Sequence, residues 1–429
     1  MGFRINVNRF AFDLIILIMN QPSTVNISFD NTSNAFEYKS KKELKKAHFL
    51  FYAMGFPFVV NWGVRLMPLA IKLRLPFTKT MIRNTIFKQF VGGESLAQTA
   101  DVAKVLDKYQ VQVILDYGVE GGKGEAAFNE ATQEFIRVIN YAATQSNVPF
   151  ISIKVTGIAR IGLLEEIDMA MNNSHEPTLM KRYYNAVEQL NDIEKEEWYI
   201  CVGRLQQICD NANKNKLAVL VDAEESWIQN PVDALTILMM DSFNKTRCVV
   251  YNTIQFYRHD RFEFLIDNLK AAQERNFILG VKLVRGAYME KERARALEKG
   301  YESPIQLDKE SSDLDYNKGV EFCIENIEKI SQIIATHNEY SNFNATQLIA
   351  KKGIPVNHPH IHFSQLFGMS DNITFNLAKN GFSVSKYLPF GPIKDVIPYL
   401  MRRARENSSV SGQTGRELGL IKKELKRRG

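Results

Sequence analysis

The sequence has no CxxC pair and no regular cysteine framework: Cys201, Cys209, Cys248 and Cys323 stand apart without a pairing pattern. That argues against a disulfide scaffold or a cysteine-based zinc site and leaves reduced thiols as the default. Long hydrophobic runs are missing as well. Phe10–Met19 (FAFDLIILIM) is short and broken by Asp13, and Phe49–Val64 contains Gly55, Pro57 and Asn61, so neither fits a membrane span. The first also lacks a small-residue cleavage site and is expected to lie outside the packed domain. The second is expected to pack on the domain as helix, with shallow bilayer contact as the alternative. A large excess of one charge is absent too, since 54 Lys and Arg stand against 48 Asp and Glu for a formal net charge of +6. No nucleic-acid surface is implied. The local excesses, Lys39–Lys46 and Lys422–Arg428, read as solvated helix faces or weak attraction to an anionic membrane surface.

What is present is a rhythm. A helical N-terminal region, 1–100, with 1–18 outside the packed domain, gives way to short β-branched runs alternating with amphipathic stretches over 101–429. Eight strands are expected: Val113–Tyr117, Phe150–Val155, Ala218–Asp222, Cys248–Thr253, Ile278–Val284, Ile333–Thr336, His360–Phe363 and Val384–Leu388. Helical spacing separates most of them, as at Ala127–Ala143, Glu188–Asn211 and Tyr316–Gln332. Eight alternations over such a length give an α/β fold, a (β/α)8 TIM-type barrel with a helical N-terminal extension. A doubly wound open sheet is the competitor. Against it, no GxGxxG follows the first strand; Gly121, Gly122 and Gly124 make only a flexible loop.

Chemistry in a barrel belongs at the C-terminal strand ends. There stand Asp116, Lys154, Asp222 with Glu224 and Glu225, Gln255, Arg285 with Tyr288, Thr336 with His337 and Asn338, Gln365, and Tyr387. Any one of these has a structural reading, such as a helix cap for Asp222 or a backbone-bonded core histidine for His337. Their joint appearance at equivalent places favours a site. His358, His360 and His362 (HPHIH) have strand-like metal spacing, but Pro359 interrupts them and no acidic partner adjoins, so no metal is expected. Beyond Pro389, Gly391 and Pro392, which are read as interrupting the last strand, comes a helix. On it Tyr399, Arg402, Arg403 and Glu406 fall at i, i+3, i+4 and i+7 and share one face. The stripe is either an exposed ion-pair ladder or a paired-arginine clamp for a carboxylate or phosphate.

Six segments decide how these positions are read together: VDAEE (Val221–Glu225), YNTIQFY (Tyr251–Tyr257), VKLVRGAYMEKER (Val281–Arg293), ATHN (Ala335–Asn338), QLFGM (Gln365–Met369) and YLPFGPIKDVIPYLMRRAREN (Tyr387–Asn407). In this order the chain resembles the proline dehydrogenases, FAD-dependent (β/α)8 enzymes, and within them the monofunctional, eukaryotic-like branch without a fused aldehyde dehydrogenase domain. The resemblance implies that Arg402 and Arg403, helped by Lys154, pair with the substrate carboxylate. Tyr288, Tyr387 and Tyr399, with Leu283 and Leu366, would wall the pyrrolidine pocket, Asp222 would hold the polar network beneath it, and Glu406 would brace an arginine. For FAD it implies Ala223, Thr253, Gln255, Lys282, Val284, Arg285, Gly286, Ala287, Tyr316, Thr336, His337 and Asn338. Two positions depart from the bifunctional enzymes: Lys282 stands for an arginine, a point charge in place of a fork, and Ser364 for a glutamine.

The implied reaction is oxidation of L-proline to Δ1-pyrroline-5-carboxylate, with hydride passing from C5 to FAD N5 and electrons then to a membrane quinone, the first step of proline catabolism to glutamate. No side chain accepts a hydride, so a redox cofactor is required. Peripheral membrane contact is expected with the quinone. The alternatives are 4-hydroxyproline dehydrogenase, against which Tyr387 argues by crowding ring C4, and a flavin-binding barrel without activity. Absence of a leader rich in Arg and Ser favours a cytoplasmic bacterial protein, peripheral at the inner membrane.

Overall fold

A computed structural model describes residues 26–73, 75–118, 122–409 and 413–429. The expectations for 1–18 and Phe10–Met19 lie outside the described residues.

The β-branched runs form parallel strands β1 (Gln112–Tyr117), β2 (Phe150–Ile153), β3 (Ala218–Val221), β4 (Val250–Gln255), β5 (Leu279–Val284), β6 (Ile330–Ala335), β7 (Ile361–Leu366) and β8 (Val384–Phe390). They close in sequence order, β8 pairing back on β1. Before the barrel come α1 (Lys41–Met54), α2 (Pro57–Lys72), the short α3 (Thr78–Ile82) and α4 (Leu96–Asp107). The connecting helices are α5 (Glu125–Ala142), α6 (Ile161–Asn172), α7 (Leu179–Gln189), α8 (Asp192–Lys214), α9 (Ser226–Phe243), α10 (Arg261–Glu274), α11 (Met289–Lys299), α12 (Lys309–Glu325), α13 (Glu339–Lys351) and α14 (Asp371–Lys379). After β8 follow α15 (Ile393–Ser409) and α16 (Gln413–Arg427). The chain is thus a (β/α)8 barrel with added helices.

All eight expected strands form, with shifted boundaries. Pro389 does not interrupt β8; it pairs in register with Asp116, and its carbonyl accepts from the Gly92 amide at 2.8 Å. Proline costs a strand one donor, but its fixed φ suits extended backbone. The helical reading of Tyr316–Gln332 ran too far: α12 stops at Glu325 and Ile330 already belongs to β6. Glu188–Asn211 is two helices, because Asn191 caps a new one, its side chain accepting from the Glu194 amide in a capping box.

Ile114, Phe150, Leu220, Tyr251 and Ile333 fill the barrel interior, and a larger cluster lies between strands and helices. A third cluster joins the two ends of the chain. Leu44, Phe51, Val60 and Val64 of α1 and α2 pack with Val396, Ile397, Leu400 and Ala404 of α15 and with Leu420 and Ile421 of α16. The N-terminal helices are therefore seated on α15, the helix that carries the polar stripe.

His362, in β7, is buried against Phe150 with ring centroids 4.9 Å apart, its Nε2 2.6 Å from Ser385 Oγ. Burial pushes its pKa from 6.5 to about 3, so it stays neutral in the fold while the unfolded chain protonates. The stability it contributes is present above pH 6.5 and is lost as pH falls from there toward 3. His362→Gln is accordingly expected to unfold earlier than wild type at pH 7.5, with the gap closing toward pH 5. Thermal melts at the two pH values check this; a constant gap would contradict it.

Candidate active site

The C-terminal strand ends open into a cavity of about 890 Å³. Its polar centre is Asp222, the residue after β3. The Asp222 carboxylate accepts from Lys282 Nζ and, at 2.7 Å, from the Tyr387 hydroxyl, and Lys154 Nζ lies 3.7 Å away. Tyr387 is held a second time by Ser152, its hydroxyl 2.9 Å from the Ser152 Oγ. Lys282 also sits over the Tyr387 ring, 5.4 Å from its centroid. Burial alone would raise the Asp222 carboxyl, but Lys282 and Lys154 outweigh it and hold the group at about 2. A carboxylate anion shared by two ammoniums and a phenol is thus fixed in the cavity floor. These partners lie 60 and 165 residues from Asp222 in the chain and meet only because the barrel closes.

Across the cavity stands the α15 stripe, and all four of its residues, Tyr399, Arg402, Arg403 and Glu406, line the space. Part of the ladder reading is correct, since Arg403 Nη2 donates to Glu406 Oε1 at 2.7 Å and its guanidinium lies 5.2 Å from the Tyr399 ring centroid. The face is not an open one, however: Arg403 is buried and Tyr399, Arg402 and Glu406 are half-buried. Burial raises the Glu406 carboxyl against the pull of Arg403 and Arg402. The buried Arg403 Nε and Tyr399 hydroxyl have no hydrogen-bond partner among the described residues. Buried donors are normally satisfied, so these two point to an absent acceptor.

The remaining wall comes from β5 and β6. Arg285 pairs with Asp313, donates to Thr336 Oγ1 at 2.6 Å and to Ser341 Oγ at 3.1 Å, and stacks 4.0 Å from the Tyr316 ring centroid. Gly286, at φ +78°, turns the chain out of β5 where a side chain would be strained. Asn338 caps α13 by accepting from the Ser341 amide. His337 Nδ1 lies 2.9 Å from Ser370 Oγ, and burial, helped by Lys386, Arg403 and Arg285, pushes its pKa down to about 3, so the ring is neutral.

Lys154, Asp222, Tyr288 and Tyr387 line the cavity, as do Thr253, Lys282, Val284, Arg285, Gly286, Ala287, Thr336, His337 and Asn338. Ser364 and Leu366 belong to the lining too. Four residues named by resemblance do not. Leu283 alternates with Lys282 and Val284 and faces the helices. Gln255 is spent on the Glu224 carbonyl and the Tyr257 hydroxyl, each at 2.7 Å. Tyr316 is fully buried beneath Arg285, and Ala223 lies outside the lining. Sequence reasoning missed Tyr257, Asp313, Ser370 and Glu417, which line the space from outside the strand ends. Only the aromatic end of YNTIQFY signalled any of them. His360 and His362 bond Ile327 O and Ser385 Oγ, and no metal-type cluster exists among the described residues.

A sequence model described as proline dehydrogenase matches residues 99–416. The chain belongs to the proline dehydrogenase family. It is therefore grouped with oxidoreductases that act on proline. Hydroxyproline dehydrogenase of Xenopus laevis is 30% identical over 422 residues, 94% of this chain and 90% of that protein. Mitochondrial proline dehydrogenase 1 of Dictyostelium discoideum is 30% identical over 429 residues, 93% and 74% of the two chains. In fold, proline utilization A of Bdellovibrio bacteriovorus, solved after inactivation by N-propargylglycine, superposes with a TM-score of 0.70 at 19% identity. The match covers 91% of this chain and 44% of that one, so this chain spans less than half of that protein.

These relatives overturn one expectation. The Dictyostelium discoideum, Arabidopsis thaliana and Caenorhabditis elegans proteins are named mitochondrial, which contradicts the expectation of a cytoplasmic bacterial protein. The composition of the first residues given is not evidence of compartment.

Proposed function

We propose that this member of the family oxidises L-proline to Δ1-pyrroline-5-carboxylate with FAD as cofactor, passing electrons on to a quinone. The observation that carries the reading is the pair of unpartnered buried donors, Arg403 Nε and Tyr399 hydroxyl, on a wall that also holds Arg402 and faces Lys154 and the Asp222 carboxylate. An α-amino acid brings one strong handle, its carboxylate, and guanidinium donors bind it with defined orientation. With the carboxylate held on α15, the ring lies among Tyr288, Tyr387 and Tyr399, whose apolar faces exclude water from the reacting carbon. FAD, when bound, supplies the hydride acceptor that no side chain provides. Its fit is supported by the donors on the far wall: Arg285, Lys309 and Arg416 line the cavity, paired there with Asp313 and Glu339, and the α13 N-terminus opens beside them, groups of the kind that bind a pyrophosphate. Lys282, fixed by Asp222, adds an ammonium in the cavity floor.

A hydroxyproline substrate is the second reading, raised by the Xenopus laevis relative. Tyr387 opposes it. Its hydroxyl is bound on two sides, by Ser152 at 2.9 Å and Asp222 at 2.7 Å, so the ring cannot swing aside to admit a C4 hydroxyl. Steady-state kcat/KM is expected to favour L-proline over 4-hydroxyproline by about tenfold or more, the size of discrimination one misplaced polar group gives. Equal values would remove the argument from Tyr387.

A further inference from the structure

Twelve of the 25 exposed large hydrophobic side chains among the described residues fall between Phe49 and Met81. Scattered exposed apolar residues need no explanation, but a contiguous set marks a binding surface. On α2 the exposed residues Phe58, Trp62, Leu66 and Leu69 recur at helical spacing, continued by Leu73 just past its end, while Val60 and Val64 alone are buried on the helix. Phe58 is 71% exposed, Phe49 on α1 70%, and Phe77 before α3 84%. The expected packing of this segment on the domain is thus only half of what happens: one face seats on α15 and the opposite face is bare.

The charge on the same stretch is one-sided. Residues 39–93 contain eleven Lys and Arg against a single acid, Glu43. Between α1 and the barrel runs a crevice of about 880 Å³ whose lining includes the apolar Phe87, Val91 and Phe367 and the cations Lys42, Lys46 and Lys88. An apolar floor under a lysine rim matches an acyl chain beneath an anionic headgroup. Neither helix alone is long and apolar enough to cross a bilayer: α2, at 16 residues, is ~24 Å long against a hydrocarbon core of ~30 Å, and α1 and α2, which reach that length and hydropathy only together, meet at a 95° bend.

We infer that α1, α2 and the start of α3 form a monotopic docking surface for an anionic phospholipid bilayer, the α2 stripe entering the acyl boundary and the lysines meeting the headgroups. This deepens the quinone reading by naming the surface that brings the enzyme to a membrane, yet it stands on these helices alone and not on the cavity chemistry. The partner is lipid and not a second copy of the chain because the one-sided positive charge of this segment would face itself across a two-fold contact.

The test is flotation of the full chain with phosphatidylcholine vesicles, with and without phosphatidylglycerol. Flotation only with phosphatidylglycerol is expected, weakening as salt rises, with Trp62 emission shifting to the blue and quenched by brominated lipid. Phe58→Gln, Trp62→Gln and Leu66→Gln together are expected to lower partitioning by about tenfold or more, without loss of turnover on a soluble artificial acceptor. The inference is overturned if wild type stays in solution, or if the triple variant floats equally well. It is also overturned if light scattering shows that this face pairs two chains in wild type and not in the variant. Lipid binding is read without catalysis, so failure here leaves the proline reading intact, and inactivity toward proline leaves this one intact.

Discussion

Arg403→Met is expected to raise the KM for L-proline about tenfold to a hundredfold while flavin stays bound, the equivalent of one lost charge-assisted contact of about 1.5–3 kcal/mol. Arg403 is buried and its Nη2 is already committed to Glu406 at 2.7 Å, which fixes the guanidinium plane while leaving Nε without a partner. Methionine keeps much of the volume and removes the donors. Arg402→Met is expected to act in the same direction, since Arg402 lines the same wall. Initial rates over a range of proline concentrations, with the flavin spectrum after gel filtration as a control, separate a binding defect from cofactor loss. An unchanged KM in both variants would refute the clamp.

Asp222→Ala is expected to be the most damaging single change in the cavity, lowering stability by about 3–5 kcal/mol, the usual consequence of removing one partner from a buried ionic cluster. It leaves the buried Lys154 and Lys282 without their shared anion and deprives the Tyr387 hydroxyl of its 2.7 Å acceptor. Turnover should fall with it, because the same carboxylate orients Lys282 and holds Tyr387 over the pocket. Asp222→Asn retains a hydrogen-bond acceptor for Tyr387 and should lie between wild type and alanine. Urea unfolding with kcat measured alongside checks both; an alanine variant as stable as wild type would show that the lysines find other partners.

The features that were legible in the sequence are those that depend on local pattern. Strand after strand announced itself through β-branched runs, and the α15 stripe through its i, i+3, i+4, i+7 spacing, because those periodicities follow from backbone geometry. Errors arose where tertiary context overrode local signals. Pro389 is a breaker in isolation, yet it completes β8 because β1 supplies the pairing partner. Leu283 stands between two cavity residues in sequence and on the opposite side of the sheet in space, a pleat that resemblance by segment does not resolve. The seating of α15 could not be seen either, since it depends on its apolar face being covered by the N-terminal helices and α16. Ser370 and Glu417 come to the cavity together, the Ser370 amide donating to the Glu417 carboxylate across 47 residues, and no spacing rule anticipates that contact.

Reduction of the bound cofactor by substrate is the most direct test of the whole reading, because it requires that the far wall hold a flavin and that the α15 wall place proline against it. Purified under gentle conditions, or after incubation with FAD, the protein should be yellow, and anaerobic addition of L-proline should bleach it, with 4-hydroxyproline bleaching it more slowly. A protein that remains colourless with added FAD, or a yellow one that keeps its absorbance in the presence of L-proline, would contradict the assignment.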